Sequence, residues 1–257
     1  MYSVEERKTY FENTIQKLDS SNLIEGVIQL GSGVIGYKDE YSDIDLMVCT
    51  SKVEDTEATK DFVYQTLSGF NPIYFKEKKF SENIFLLIAI ISNRLEFNIS
   101  IVPRDLLTVR SPLWKIILDK TGLVTEKMDR ENEQFENKSV KYDVQIDLPF
   151  EFAYCAMSLE KEIKRNNLIY AEKMLENMRN YTLLVQAMNE GKKLHQFKAY
   201  ETLTPTFVKD YLSTFPEKIT VDNLMKSSER LKDLFTETIR QSSAYSIDRG
   251  LEQLMNS

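Results

Sequence analysis

Residues 4–19 set Tyr10, Ile15 and Leu18 near helical spacing among charged side chains, which predicts an amphipathic first helix. Gly26 interrupts that pattern, and Val27 to Leu30 ("VIQL") reads as a short buried strand running into Gly31. "IDLMVC", Ile44 to Cys49, is a second strand, and the stretch 54–67 returns to helical spacing with Phe62, Val63 and Leu67. Two β-rich runs follow, "IFLLIAII" and "LEFNISIV", parted only by Ser92, Asn93 and Arg94, so they read as a hairpin. In the second arm Leu95, Phe97, Ile99 and Ile101 share one side, while Glu96, Asn98 and Ser100 share the other. "KIILDKTG", Lys115 to Gly122, predicts a further strand ending in a turn.

The pattern then changes. Residues 126–147 are polar and charged with little periodicity, and read as a connection with room for some helix. After Pro149, Phe152, Cys155, Ala156, Leu159 and Ile163 fall on one helical stripe. A long helix over about 168–189 closes on Gly191 as a C-terminal cap, and shorter helices are expected near 205–213, 221–241 and 247–255. The predicted class is α+β. A small mixed sheet flanked by helices occupies residues 1–125, a connection 126–147, and an all-α bundle 148–257.

Composition narrows the classes of function. Of 257 residues 42% are hydrophobic, with only 8 glycines and 6 prolines, so the chain can build a core and has little room for long linkers. The 33 basic against 40 acidic side chains give a formal charge of −7, which argues against gripping a polynucleotide backbone. The longest apolar run, Ile84 to Ile91, is far too short to span a bilayer. The charged amino terminus has no apolar signal region, so a reduced cytoplasm is expected. Cys49 and Cys155 each sit in an apolar pattern and read as core residues. The single histidine, His195, argues against a serine–histidine triad or a histidine-ligated metal, and reads as a surface or packing residue.

The chemistry concentrates in "GSGVIGYKDEYSDIDL", Gly31 to Leu46. On a strand, Asp43 and Asp45 turn to one face, where two carboxylates resist joint ionisation unless a cation neutralises them. Mg²⁺ suits such a pair, because it takes oxygen ligands and shares them with substrate phosphates. An isolated D-x-D is more often solvated loop. Here Gly31 and Ser32 follow a strand and precede a possible helix start, a turn able to offer backbone N–H groups and a hydroxyl to phosphate oxygens. Gly33 and Gly36 permit the close approach and turning this needs.

These residues resemble the nucleotidyltransferase superfamily of the DNA polymerase β type, whose signature is a hydrophobic residue, Gly-Ser, a spacer and D-h-D-h. Leu30-Gly31-Ser32 and Asp43-Ile44-Asp45-Leu46 match it, and Arg94-Leu95-Glu96-Phe97 has the form of the setting in which the family carries its third carboxylate. One position departs: relatives often place arginine or lysine just before the glycine at Gly36, where this chain has Ile35. Triphosphate contact would then rest on backbone N–H groups, Ser32 and Lys38. Residues 149–193, and more loosely "FKAYETLTPTFVKDYL", resemble the helical half of bacterial antibiotic nucleotidyltransferases of the lincosamide and aminoglycoside 6-adenylyltransferase kinds.

The resemblance implies transfer of a nucleoside monophosphate, most often AMP from ATP, to a hydroxyl of a small acceptor such as an aminoglycoside or lincosamide, releasing pyrophosphate. It implies two Mg²⁺ ions held by Asp43, Asp45 and Glu96, and Gly31, Ser32, Gly36, Lys38 and the two aspartates about the nucleotide. The helical domain is expected to form the acceptor side of a cleft. Glu151 is a candidate general base, against the reading of an acid favoured at a helix N-terminus; Tyr154, Glu160 and Lys161 are further candidates. Two alternatives stay open: modification of a protein or a tRNA end, and a catalytically silent scaffold. A homodimer is compatible with all three.

Overall fold

The computed structural model describes residues 2–37, 41–138, 142, 144–192 and 199–255. Its first helix, α1 (Val4–Asp19), starts on a capping box. Ser3 Oγ accepts from the Glu6 N–H at 3.2 Å, and Glu6 Oε2 accepts from the Ser3 N–H at 2.7 Å. Two of the N–H groups that a helix start leaves orphaned are thereby satisfied. Beyond α1 run β1 (Gly26–Leu30), a five-residue 3₁₀ turn (Gly31–Ile35) and β2 (Ile44–Thr50). Then come α2 (Thr56–Ser68), β3 (Tyr74–Ser81), β4 (Ile84–Ile90), β5 (Glu96–Pro103), β6 (Trp114–Asp119) and α3 (Leu123–Glu136).

The six strands form one mixed sheet in the order β3-β4-β5-β2-β1-β6. Only β2 and β5 pair in parallel; the other neighbours are antiparallel. One face is the core. Ile44, Leu46 and Val48 of β2, Phe97, Ile99 and Ile101 of β5, and Phe85 and Leu87 of β4 are buried there with Leu18 of α1 and Val63 and Leu67 of α2. Tyr10, Phe70 and Phe97 stack or meet edge-on beneath α1, with ring centres 5.1–6.2 Å apart. On the opposite face α3 approaches β1: a Cβ added to Gly26 would stand 2.9 Å from Val124 Cγ2.

Two elements depart from the pattern-based expectation. Strand β3 reads Tyr-Phe-Lys-Glu-Lys-Lys-Phe-Ser and is exposed along almost its whole length, as suits a sheet edge guarded by lysines. Phe75 alone in it is partly buried, against the core, and the Lys-Glu-Lys-Lys run that follows shows no alternation to read. Helix α3 begins three residues before the segment read as a connection and runs through its first half, to Glu136. Its first turn is held by Asp119, whose carboxylate accepts from the N–H groups of Gly122 and Thr125, both at 2.8 Å, and from Thr125 Oγ1 at 2.7 Å. The cap comes from the preceding strand, not from the residue beside the helix.

The chain divides into two compact units, Met1–Lys138 and Ser139–Ser257. The second contains α4 (Leu148–Lys164), α5 (Leu168–Asn189), α6 (Pro205–Leu212), α7 (Val221–Arg240) and α8 (Arg249–Met255). Asp147 caps α4 by accepting from the Phe150 N–H at 3.2 Å. Gly191, at φ +61°, ends α5 in a Schellman turn: Lys192 N–H reaches Ala187 O at 2.7 Å and Gly191 N–H reaches Met188 O at 3.0 Å. The core of this unit holds Phe152, Leu159, Leu175, Met178, Leu224, Leu231 and Phe235, all buried. Among the described residues no helix is long and apolar enough to cross a membrane.

Candidate active site

The site is built from the turn between β1 and β2 and from the ends of β2 and β5. Gly31 leaves β1 at φ +67°, a conformation that a side chain makes costly, and its N–H donates to Leu113 O at 3.2 Å. A Cβ on Gly31 would stand 3.0 Å from Asp45 Oδ2, so the turn's backbone and that carboxylate are close neighbours. Gly33 is tighter still: a Cβ there would lie 2.3 Å from Gln29 Nε2 and 2.9 Å from Tyr37 Cζ. The turn is a 3₁₀ segment of five residues, where a helix start was expected. It is too short to build a macrodipole, so what it can present to an anion is the Ser32 hydroxyl and individual N–H groups other than that of Gly31.

The register of β2 against β5 sets the carboxylates. Ile44 stands opposite Phe97, and both are fully buried on the core face. Asp43 directly precedes Ile44 and Glu96 directly precedes Phe97, so the pleat turns Asp43, Asp45 and Glu96 to the other face, together with Asn98 opposite Asp45. All four are partly exposed. Among the described residues no set of three or more His, Cys, Asp or Glu side chains is gathered closely enough to hold a metal ion. The three carboxylates thus share a sheet face without forming a closed cage.

The structure adds residues that the sequence did not point to. Arg7 of α1, only 2% exposed, donates from Nη1 to Ser42 O at 3.1 Å, and the Tyr2 hydroxyl donates to the same oxygen at 3.0 Å. The Arg7 guanidinium lies 4.0 Å from the centre of the Tyr37 ring, and Gln29 Nε2 donates to the Tyr37 hydroxyl at 3.2 Å. Burial raises the Tyr37 hydroxyl pKa and the Asp45 charge adds to the rise, against the lowering by Gln29 and Arg7. Arg7 stands three residues before Tyr10 and seven before Thr14, on the buried side of α1, so helical spacing marks its position while its charge hides it among the other charged residues of the first turns.

The remaining expected residues fall as follows. Lys38 and His195 lie outside the described residues. Ser32 is partly buried and its carbonyl accepts from the Tyr37 N–H at 3.0 Å. Gly36 sits at φ +85° with open space where a Cβ would be, so its turn needs glycine for conformation only. Ile35 is 51% exposed. Glu151 and Tyr154 lie near the start of α4 in the second unit, with Glu151 partly buried and Tyr154 exposed. Glu160 is taken up by an ion pair with Lys232 of α7 at 3.0 Å. Cys49 and Cys155 are buried free thiols; burial pushes Cys49 up to about 12 and raises Cys155 as well.

No curated protein matches the chain. Solved structures similar to it include an aminoglycoside 6-adenyltransferase from Bacillus subtilis, at 13% identity and a TM-score of 0.40 over 100% of this chain and 97% of that one. A nucleotidyltransferase-like protein from Exiguobacterium sibiricum is similar at 13% identity and a TM-score of 0.39, over 97% of this chain and 86% of that one. The streptomycin adenylyltransferase family pattern matches residues 5–251, which takes in the turn, all six strands and the helical unit as far as the start of α8. The chain belongs to that family, and is a nucleotidyltransferase related to the antibiotic adenylyltransferases.

Proposed function

We propose that the chain transfers AMP from ATP to a hydroxyl of a small antibiotic acceptor of the aminoglycoside or lincosamide class. A bond forms between the acceptor oxygen and the α-phosphorus, the bond from that phosphorus to the bridging oxygen breaks, and pyrophosphate leaves. The hydroxyl proton passes to solvent or to a carboxylate, for which Glu151 is the candidate. The observation that carries this reading is the approach of the Gly31 turn to Asp45 on the open sheet face.

The donor set fits a hard divalent cation: Asp43, Asp45 and Glu96 offer only oxygen, on a face that solvent reaches. Mg²⁺ commonly keeps waters and takes one or two carboxylates, with substrate phosphates supplying the rest, so a closed cage of three protein ligands is not required. Asp43 and Asp45 would be shared by two ions, and Glu96 would serve one of them. When bound, such ions lower the pKa of the acceptor hydroxyl and neutralise charge at the phosphates. The protein's part is positioning. The turn offers the Ser32 hydroxyl and the N–H groups beyond Gly31, whose own N–H is given to Leu113 O, and Gly31 leaves no side chain between the phosphates and Asp45. Residues 1–125 are assigned the nucleotide, 126–147 the connection, and 148–257 the contacts to the acceptor.

The test is incubation with Mg²⁺, each labelled nucleoside triphosphate and a panel of aminoglycosides and lincosamides. Label from ATP on one or more of these acceptors, with pyrophosphate released, is the expected result. Label on a protein or an RNA, with none on any small molecule, would overturn it.

A further inference from the structure

We infer that Arg7 is a positioning residue for the carboxylates of β2, acting through the Ser42–Asp43 peptide and through Tyr37; the inference rests on the reading of Asp43 and Asp45 as the nucleotide–metal ligands. The carbonyl of Ser42 and the N–H of Asp43 belong to one planar peptide unit. Fixing the oxygen fixes the plane from which Asp43 enters the strand. Two donors fix it, Arg7 Nη1 at 3.1 Å and the Tyr2 hydroxyl at 3.0 Å. The same guanidinium lies over Tyr37, 4.0 Å from the ring centre.

Tyr37 in turn closes on the glycine turn. Its N–H donates to Ser32 O at 3.0 Å, its hydroxyl accepts from Gln29 at 3.2 Å, and its ring leaves no room for a side chain on Gly33. One buried side chain of α1 therefore touches both ends of the segment joining the phosphate turn to the aspartate pair. A methionine could fill the same volume without desolvating a charge. The guanidinium brings to this place a planar face for the ring and a directed donor for the carbonyl, which methionine lacks. Partners that orient metal-binding groups without touching the metal commonly matter to affinity as much as to rate.

The experiment compares R7M, R7K and D45N with the unmodified chain. Binding of Mn²⁺ with ATP is read from the electron paramagnetic resonance signal of free Mn²⁺, beside far-UV circular dichroism, kcat and the KM of each substrate. For folded R7M, binding of Mn²⁺ with ATP is expected to weaken by about 10- to 100-fold, with the KM of the acceptor unchanged. R7K, whose ammonium can still donate to Ser42 O, is expected to recover part of the loss. R7M binding as tightly as the unmodified chain, or R7K losing as much as R7M, would overturn the inference. If R7M does not fold, Y2F carries the test, because it removes the phenol's hydrogen bond to Ser42 O and leaves Arg7 in place; weaker binding supports the inference and unchanged binding refutes it. D45N separates the two levels: lost binding in D45N with intact binding in R7M sinks Arg7 alone, whereas intact binding in D45N sinks the metal-site reading beneath it.

Discussion

Gly31 and Asp45 are held so close that a single added carbon on the glycine would stand 3.0 Å from Oδ2 of the aspartate. The turn at Gly31 also needs φ +67°. Gly31→Ala therefore meets two penalties, a left-handed backbone costing about 1–2 kcal/mol and a methyl group pressed on the carboxylate. Lower stability in urea denaturation is expected together with a fall in kcat. An alanine variant with full transfer would show that this approach plays no part in the reaction.

Ile35 stands where relatives often carry a positive charge, and it is 51% exposed. Ile35→Lys should leave stability within about 0.5 kcal/mol, since the side chain is already half in solvent and a lysine stem can cover the same surface. The added cation is expected to lower the KM for the nucleoside triphosphate, more at low salt than at high. Initial rates at two ionic strengths check this. An unchanged KM at both would mean that the side chain does not face the triphosphate.

Much of this arrangement is legible in the pattern, and the exceptions have physical causes. Strand β5 shows its alternation because one face packs on α1 and α2 while the other is open, so Glu96 declares its face. Strand β3 lies at the sheet edge, exposed but for Phe75, and its Lys-Glu-Lys-Lys run offers no alternation to read. Helix α3 is hidden because its cap, Asp119, belongs to the strand before it. At the site, the glycine turn and the D-x-D pair are local in sequence and can be read from spacing. Arg7 reaches Ser42 across a separation of 35 residues, a tertiary contact that local periodicity does not encode.

Glu190, at the end of α5, sits among donors. Burial works to raise its pKa, but hydrogen bonds from Lys192, the Thr204 N–H and Gln186 outweigh it and bring the carboxyl down to about 2 from 4.5. A carboxylate with a depressed folded pKa stabilises fully above the unfolded value, and loses that contribution as pH falls from about 4.5 through about 2. Urea midpoints of the unmodified chain and Glu190→Gln should therefore differ most near neutrality and converge as the pH approaches 2. A gap that stays constant over that range would rule out the linkage.

Phe152 and Phe235 stack with ring centres 3.8 Å apart and planes within 2°, both fully buried in the helical unit. Phe235→Ala is expected to destabilise that unit by about 3–5 kcal/mol, read as a lower denaturant midpoint of its helical signal. Loss of less than about 1 kcal/mol would mean that the cavity collapses freely, contrary to dense packing around this pair.

The most direct test is Asp45→Asn, which keeps the side chain's shape and removes its charge. Label transfer from ATP to an acceptor that the unmodified chain uses is measured for both proteins, with Mg²⁺ and then with Mn²⁺, beside their thermal unfolding midpoints. Transfer reduced to background, with near-unchanged unfolding, is the expected result. Full transfer by the asparagine variant with either metal would contradict the assignment of Asp45, and with it the site assembled around Gly31, Asp43 and Glu96.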